Sequence, residues 1–165
     1  MQLDRYFEDL EAQFAYARNE PGVEAPLGDA NFARVLRRGG VPAELAMPIL
    51  GSDFVAGMAL GANVFRIFPF TEIRQLTFET LKAGRLENLR ELHFDLGEFL
   101  TRLKLPFEIH WTTRGDFVRQ HGVVVEVLDN LLRIQIQGID HSVAVPLIAL
   151  AELQIDSVEN SNDKI

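Results

Sequence analysis

Four histidines, His93, His110, His121 and His141, are the first residues to test for chemistry. A metal site wants ligands at coordinated spacing, such as two histidines four apart on a helix. These four are scattered over a helical stretch, a strand and two strand or turn positions, and the chain has no cysteine. The pattern predicts exposed or singly bonded imidazoles and no metal. It also removes disulfides, thiolate zinc and a cysteine nucleophile. None of Ser52, Ser142, Ser157 and Ser161 sits in Gly-x-Ser-x-Gly, the sharp turn that exposes a serine nucleophile. Gly57-Met58-Ala59-Leu60-Gly61 does not lead from a strand into a helix, so it lacks the context for cradling phosphate. The sequence therefore predicts no catalytic residue, no cofactor and a non-enzymatic protein.

What remains is binding. Arg34, Arg37 and Arg38 form a local basic cluster that Arg66 and Arg74 can join. Such a cluster can contact an acidic partner or a phosphate, or it can be a solvated edge that discourages strand pairing. Trp111 stands next to His110. An exposed aromatic on a small barrel can serve as a peptide platform, whereas a buried one is core or packing between units. Arg34, Arg37, Arg38 and Trp111 are the candidate contacts for a partner or an anion.

Positioning these residues falls to a chain of 165 residues, the size of one ordinary domain or two very small ones. Its 47% hydrophobic and 24% charged residues exclude a disordered or collagen-like chain. The net charge is −8, with −5 in residues 1–31, +1 in 32–79, +1 in 80–105 and −5 in 106–165. No segment is strongly basic, which speaks against nucleic acid as a partner. The least charged stretch, 54–65, is too short for a membrane span. The start, Met1-Gln2-Leu3-Asp4-Arg5, is not that of a signal peptide. A cytoplasmic location is expected, with no membrane contact.

Leu3, Tyr6, Phe7, Leu10, Phe14 and Ala17 keep helical spacing and predict an amphipathic helix over 3–19. Asn19-Glu20-Pro21-Gly22 breaks it and begins a linker. Strands are expected near 32–36, 41–50, 54–59, 64–68 and 74–78. A helical pattern follows over 92–103, and strands resume at 107–112, 118–127, 131–137, 142–145 and 151–155. The two strand-rich stretches align without a gap at a spacing of 77 residues, from Phe32/Ile109 to Phe78/Ile155. Each ends the same way. Phe68-Pro69-Phe70-Thr71-Glu72-Ile73 matches Val145-Pro146-Leu147-Ile148-Ala149-Leu150: a strand stopped by proline, a helical turn, then a last strand.

That ending, with the helix before it and the bent second strand at 117–127, resembles the Sm-like and SH3-like small barrels. The whole chain is similar to an uncharacterised actinobacterial family whose members open on a helix close to Phe7-Glu8-Asp9-Leu10-Glu11-Ala12-Gln13 and carry two valine-proline-leucine closures. The resemblance covers most of residues 3–155, and it implies a fold with no reaction or ligand attached. Sm proteins read RNA with an aspartate–hydrophobic–asparagine element and an arginine–glycine pair. Here Asp129 and Asn130 are adjacent, and Val145-Pro146-Leu147-Ile148 has neither arginine nor glycine. No RNA-binding residue carries over.

The expected fold is mainly β with α additions: two tandem SH3-like or Sm-like five-stranded small barrels, each associated with a helix. The expected divisions are a helix and linker over 1–27, a first barrel over 28–79, a connecting helix and second barrel over 80–156, and a flexible tail over 157–165. An alternative has the two halves completing each other's sheets. The expected partner is another protein, unidentified, with a homodimer among the candidates. A divergent Sm-like RNA binder is the competing reading.

Overall fold

The computed structural model describes residues 31–59, 64–80 and 90–156. The expected leading helix, its linker and the tail lie outside the described residues. The elements run β1 (Asn31–Arg37), β2 (Ala43–Leu50), β3 (Phe54–Ala59), β4 (Val64–Pro69), β5 (Ile73–Thr80), a short β6 (Arg90–Glu91) and helix α1 (Leu96–Thr101). Then come β7 (Phe107–Thr113), β8 (Asp116–Val127), β9 (Leu131–Gln135), β10 (Ser142–Pro146) and β11 (Leu150–Asp156). The protein is mainly β, as expected.

Alternation sets which strand faces are buried. In β9 Leu132 and Ile134 point inward while Arg133 is exposed. Pro69 and Pro146 sit at the ends of β4 and β10 with φ −61° and −62°, and each opens a short 3₁₀ turn, Phe70–Glu72 and Leu147–Ala149. Proline fits there because its fixed φ presets the turn and its missing N–H is not needed by the ladder. The helical pattern over 92–103 yields a shorter helix. Leu92 is drawn out of it, donating its N–H to the Leu50 carbonyl at 2.8 Å, while Ser52 donates to the Phe94 carbonyl at 3.1 Å. The helix starts only at Asp95, whose carboxylate accepts from the Glu98 N–H at 2.8 Å as an N-cap.

Ten strands pair antiparallel along one path, β10-β9-β8-β7-β11-β4-β3-β2-β1-β5, and β6 adds in parallel to the end of β2. The described strands form one continuous sheet that is not closed, where two separate barrels were expected. The reason lies at one joint. β4 and β11, which would be open edges of their own halves, pair with each other through Leu153↔Ile67, Gln154↔Arg66, Ile155↔Phe65 and Asp156↔Val64. Unpaired strand edges are costly to leave open, and here each satisfies the other's backbone groups.

Registers recur along the two halves. Phe54↔Pro69 and Val55↔Phe68 in β3–β4 have counterparts 77 residues on, Leu131↔Pro146 and Val145↔Leu132 in β9–β10. Val35↔Leu76 and Leu36↔Gln75 correspond likewise to Trp111↔Leu153 and Thr112↔Glu152, with the first strand displaced by 76 residues instead of 77. The gapless alignment is thus one residue out in the first strand: Val35, and not Arg34, occupies the place of Trp111.

The core has two parts. The smaller gathers Ala33, Val35, Ala43, Leu45, Val55 and Phe68. The larger runs from Ile49, Phe54, Phe65 and Ile67 of the first half through Leu96, Phe99 and Leu100 of α1 to Ile109, Trp111, Leu132, Ile134 and Leu153 of the second. Phe99 is its hinge-pin, with its ring 5.2 Å from that of Phe54 and 6.0 Å from that of Phe65. The two halves therefore share apolar contacts as well as a sheet. Gly57 permits the close β2–β3 approach, since a Cβ there would lie 2.9 Å from the Leu45 Cβ.

Candidate functional site

The basic cluster is split by burial: Arg37 is half-buried and Arg34 and Arg38 are exposed. Arg37, at the end of β1, points back toward the joint between the halves. Arg34 lies within β1 and Arg38 in the turn after it. Arg74 is exposed on β5.

Arg37 and Arg66 converge on Glu152 of β11, which is 5% exposed. Arg66 donates from Nε to Oε2 at 2.7 Å and from Nη2 to Oε1 at 2.9 Å, a bidentate pair. Arg37 Nη1 donates to Oε1 at 3.1 Å, and the Gln154 side-chain amide donates to Oε2 at 2.7 Å. Arg37 also donates to the Val41 carbonyl at 2.9 Å, which braces the β1–β2 turn. Both guanidinium groups lie over the Phe68 ring, at 5.6 and 5.0 Å from its centroid. Burial alone would raise the Glu152 carboxyl. The hydrogen bonds and charge of Arg66, with Gln154 and Arg37, outweigh it and hold the group below the usual carboxylate range.

Sequence spacing did not show this cluster, because 115 residues separate Arg37 from Glu152. One signal was present. Glu152 interrupts the apolar run Leu150-Ala151-Glu152-Leu153, and a carboxylate at an inward strand position requires a partner. A second link between the halves lies at the surface, where Arg114 Nε is 2.8 Å from Glu72 Oε1.

Beside this cluster lies an open depression of about 380 Å³ bounded by Arg34, Val41, Pro42, Glu44 and Arg66. Glu44 is the cross-strand neighbour of Arg34, and Val41 is 75% exposed. Arg66 is committed to Glu152, so Arg34 is the cation this depression offers to an anionic partner. Trp111 is 2% exposed and belongs to the large core. Its ring is therefore packing between elements, and its indole N–H has no hydrogen-bond partner in the structure.

Two of the four histidines meet. His110 and His121 are cross-strand neighbours whose rings stack at 4.5 Å. His110 Nδ1 lies 3.9 Å from Asp156, and His121 Nε2 lies 3.9 Å from Glu108. Burial holds the His110 pKa below 6.5, helped by the charges of Arg119 and His121 and opposed by Asp156 and Glu108. No group of three or more histidine or carboxylate side chains suited to a metal ion occurs among the described residues. His93 and His141 are exposed elsewhere.

No helix among the described residues is long and apolar enough to cross a membrane. Compared with known proteins, the chain matches no family model and no curated protein.

Proposed function

We propose that this chain is a non-enzymatic protein-interaction or scaffold module of the cytoplasm, built from two copies of a five-stranded small-barrel unit spliced into one sheet. The observation that carries the reading is the edge-to-edge β4–β11 joint. It joins two units into one continuous sheet and leaves β5 and β10 at the ends of the ladder. The recurring registers support a duplicated unit, since chance would not repeat the strand pairs and the proline-terminated turn together. The charged groups support a structural role at the joint. The most buried of them, Glu152, is fully engaged by Arg37, Arg66 and Gln154 and has no free valence for substrate. Arg34 and Arg38, both exposed, are the residues proposed to meet an acidic partner.

Size-exclusion chromatography with light scattering and an ultraviolet absorbance ratio tests this reading on the full chain. A defined assembly free of nucleic acid is expected. A monomer at every concentration overturns self-association, and an assembly carrying RNA shifts the reading to a divergent Sm-like RNA binder.

A further inference from the structure

One face of the sheet carries a polar row that runs through the second half and onto the β4–β11 joint. His121 of β8, His110 of β7, Gln154 of β11 and Arg66 of β4 are successive cross-strand neighbours. Directly opposite residues of adjacent strands share a face, so these four side chains lie side by side. The row begins at the stacked imidazoles and ends at the arginine that clamps Glu152.

A hydrogen-bond chain runs beside this row. Arg119, two residues before His121 on β8, reaches past β7 and donates from Nη2 to Gln154 Oε1 at 2.6 Å. With its oxygen held there, Gln154 turns its amide nitrogen to Glu152 Oε2 at 2.7 Å. The same carboxylate receives Arg66 and Arg37. Side chains of β8, β11, β4 and β1 are thus tied through one carboxylate, and the outermost tie passes the histidine pair.

We infer that His110 and His121 form an acid sensor wired to the β4–β11 joint, with Arg119 and Gln154 as the link that protonation of the pair releases. The titratable and charged groups facing His110 are Glu108 of its own strand, His121 and Arg119 of β8, and Asp156 of β11. Neutral rings stack at 4.5 Å without conflict of charge. Protonated rings at that distance repel each other and the Arg119 guanidinium. A carboxylate waits for each: Asp156 is 3.9 Å from His110 Nδ1, and Glu108 is 3.9 Å from His121 Nε2. His110 Nδ1 is buried without a hydrogen-bond partner, so a proton gained there turns the ring toward Asp156. Three cations then face two carboxylates, and Arg119 is the group that yields, because its side chain is exposed. Once it leaves, Gln154 Oε1 loses its donor, the amide is free to turn, and Glu152 loses one of its hydrogen bonds. Arg66 and Arg37 stay on the carboxylate, so acid loosens the joint without opening it. The device needs no partner molecule. Burial and the charges of Arg119 and His121 hold the His110 pKa below 6.5, which places the release on the acid side of neutrality.

NMR on the full chain tests the wiring. The imidazole C2–H, Gln154 side-chain amide and Arg66 Nε–H resonances are followed from about pH 8 to pH 5, the range of imidazole titration. Glu152, held below 4.5, stays ionised throughout. In the native sequence the Gln154 and Arg66 resonances are expected to move together with His110. In Arg119→Gln, His110 is expected to titrate at higher pH and the Arg66 resonance to stop following it. In His121→Gln, His110 is again expected to titrate at higher pH, with the Arg66 resonance still following. Both substituted side chains are exposed, and circular dichroism checks that the variants fold. Gln154 and Arg66 resonances that stay flat while His110 titrates in the native chain overturn the wiring. An Arg66 resonance that follows His110 equally in Arg119→Gln overturns the link and assigns the response to the field of the imidazoles. A His110 titration that neither variant moves overturns the coupled pair.

Discussion

Arg66 and Glu152 face each other across the β4–β11 joint in a bidentate ion pair of 2.7 and 2.9 Å, with the carboxylate 5% exposed. The pair fixes the register between two halves that also meet through the Arg37–Glu152 and Arg114–Glu72 pairs and through backbone and apolar contacts. Removing one partner of a buried pair leaves the other charge desolvated, so Glu152→Ala is expected to cost about 3–5 kcal/mol. Replacing the set together, as Arg37→Met, Arg66→Met and Glu152→Leu, is expected to recover most of that loss. Urea unfolding of the two variants checks both statements.

The neighbouring arginines separate role from proximity. Arg38 is exposed, and Arg38→Glu is expected to change stability by no more than about 0.5 kcal/mol. Arg37→Glu removes a hydrogen bond to a buried carboxylate and puts a like charge beside it, at a cost of about 2–3 kcal/mol. If Arg38→Glu also weakens assembly or partner binding with stability unchanged, Arg38 is a contact residue. Unchanged binding marks it as a solvated edge.

Trp111 reports on the shared core. As the chain's single tryptophan it should emit at short wavelength in the folded protein and shift to the red in urea. Trp111→Ala is expected to cost about 3–5 kcal/mol, and Trp111→Phe much less, because the cavity term is smaller. Emission at the wavelength of a solvated indole in the native state would contradict the buried placement.

Acid weakens the fold through two groups. Glu152 is held below 4.5 in the folded chain, so its stabilisation is complete above that value and is lost as pH falls through the lowered one. His110 is held below 6.5, so the unfolded chain takes up its proton first. Stability therefore falls as pH drops below 6.5 toward the lowered value. The urea midpoint is expected to decline as pH falls below 6.5, and His110→Phe to flatten that decline. An unchanged slope in the variant would assign the effect elsewhere.

Strands and turns were legible because their signals are local. The alternation in residues 131–135, the prolines at Pro69 and Pro146 and the apolar spacing after them each act within a few residues. Helix α1 was overextended because Leu92 and Phe94 fit helical spacing, yet tertiary hydrogen bonds to Leu50 and Ser52 hold them outside it. The cluster of Arg37, Arg66 and Glu152 was not legible. It depends on which two strand edges meet, and edge pairing has no short-range signature beyond an inward-facing carboxylate. The stacking of His110 on His121 was hidden for the same reason: it follows from the β7–β8 register.

Amide hydrogen exchange measured over a range of protein concentration tests the scaffold reading most directly. Amides of β4 and β11 should be protected at every concentration, since their joint is internal. Amides of β5 over 76–79 and β10 over 142–144 should gain protection as concentration rises, and lose it on dilution. Exchange at both end strands that does not respond to concentration would contradict the account.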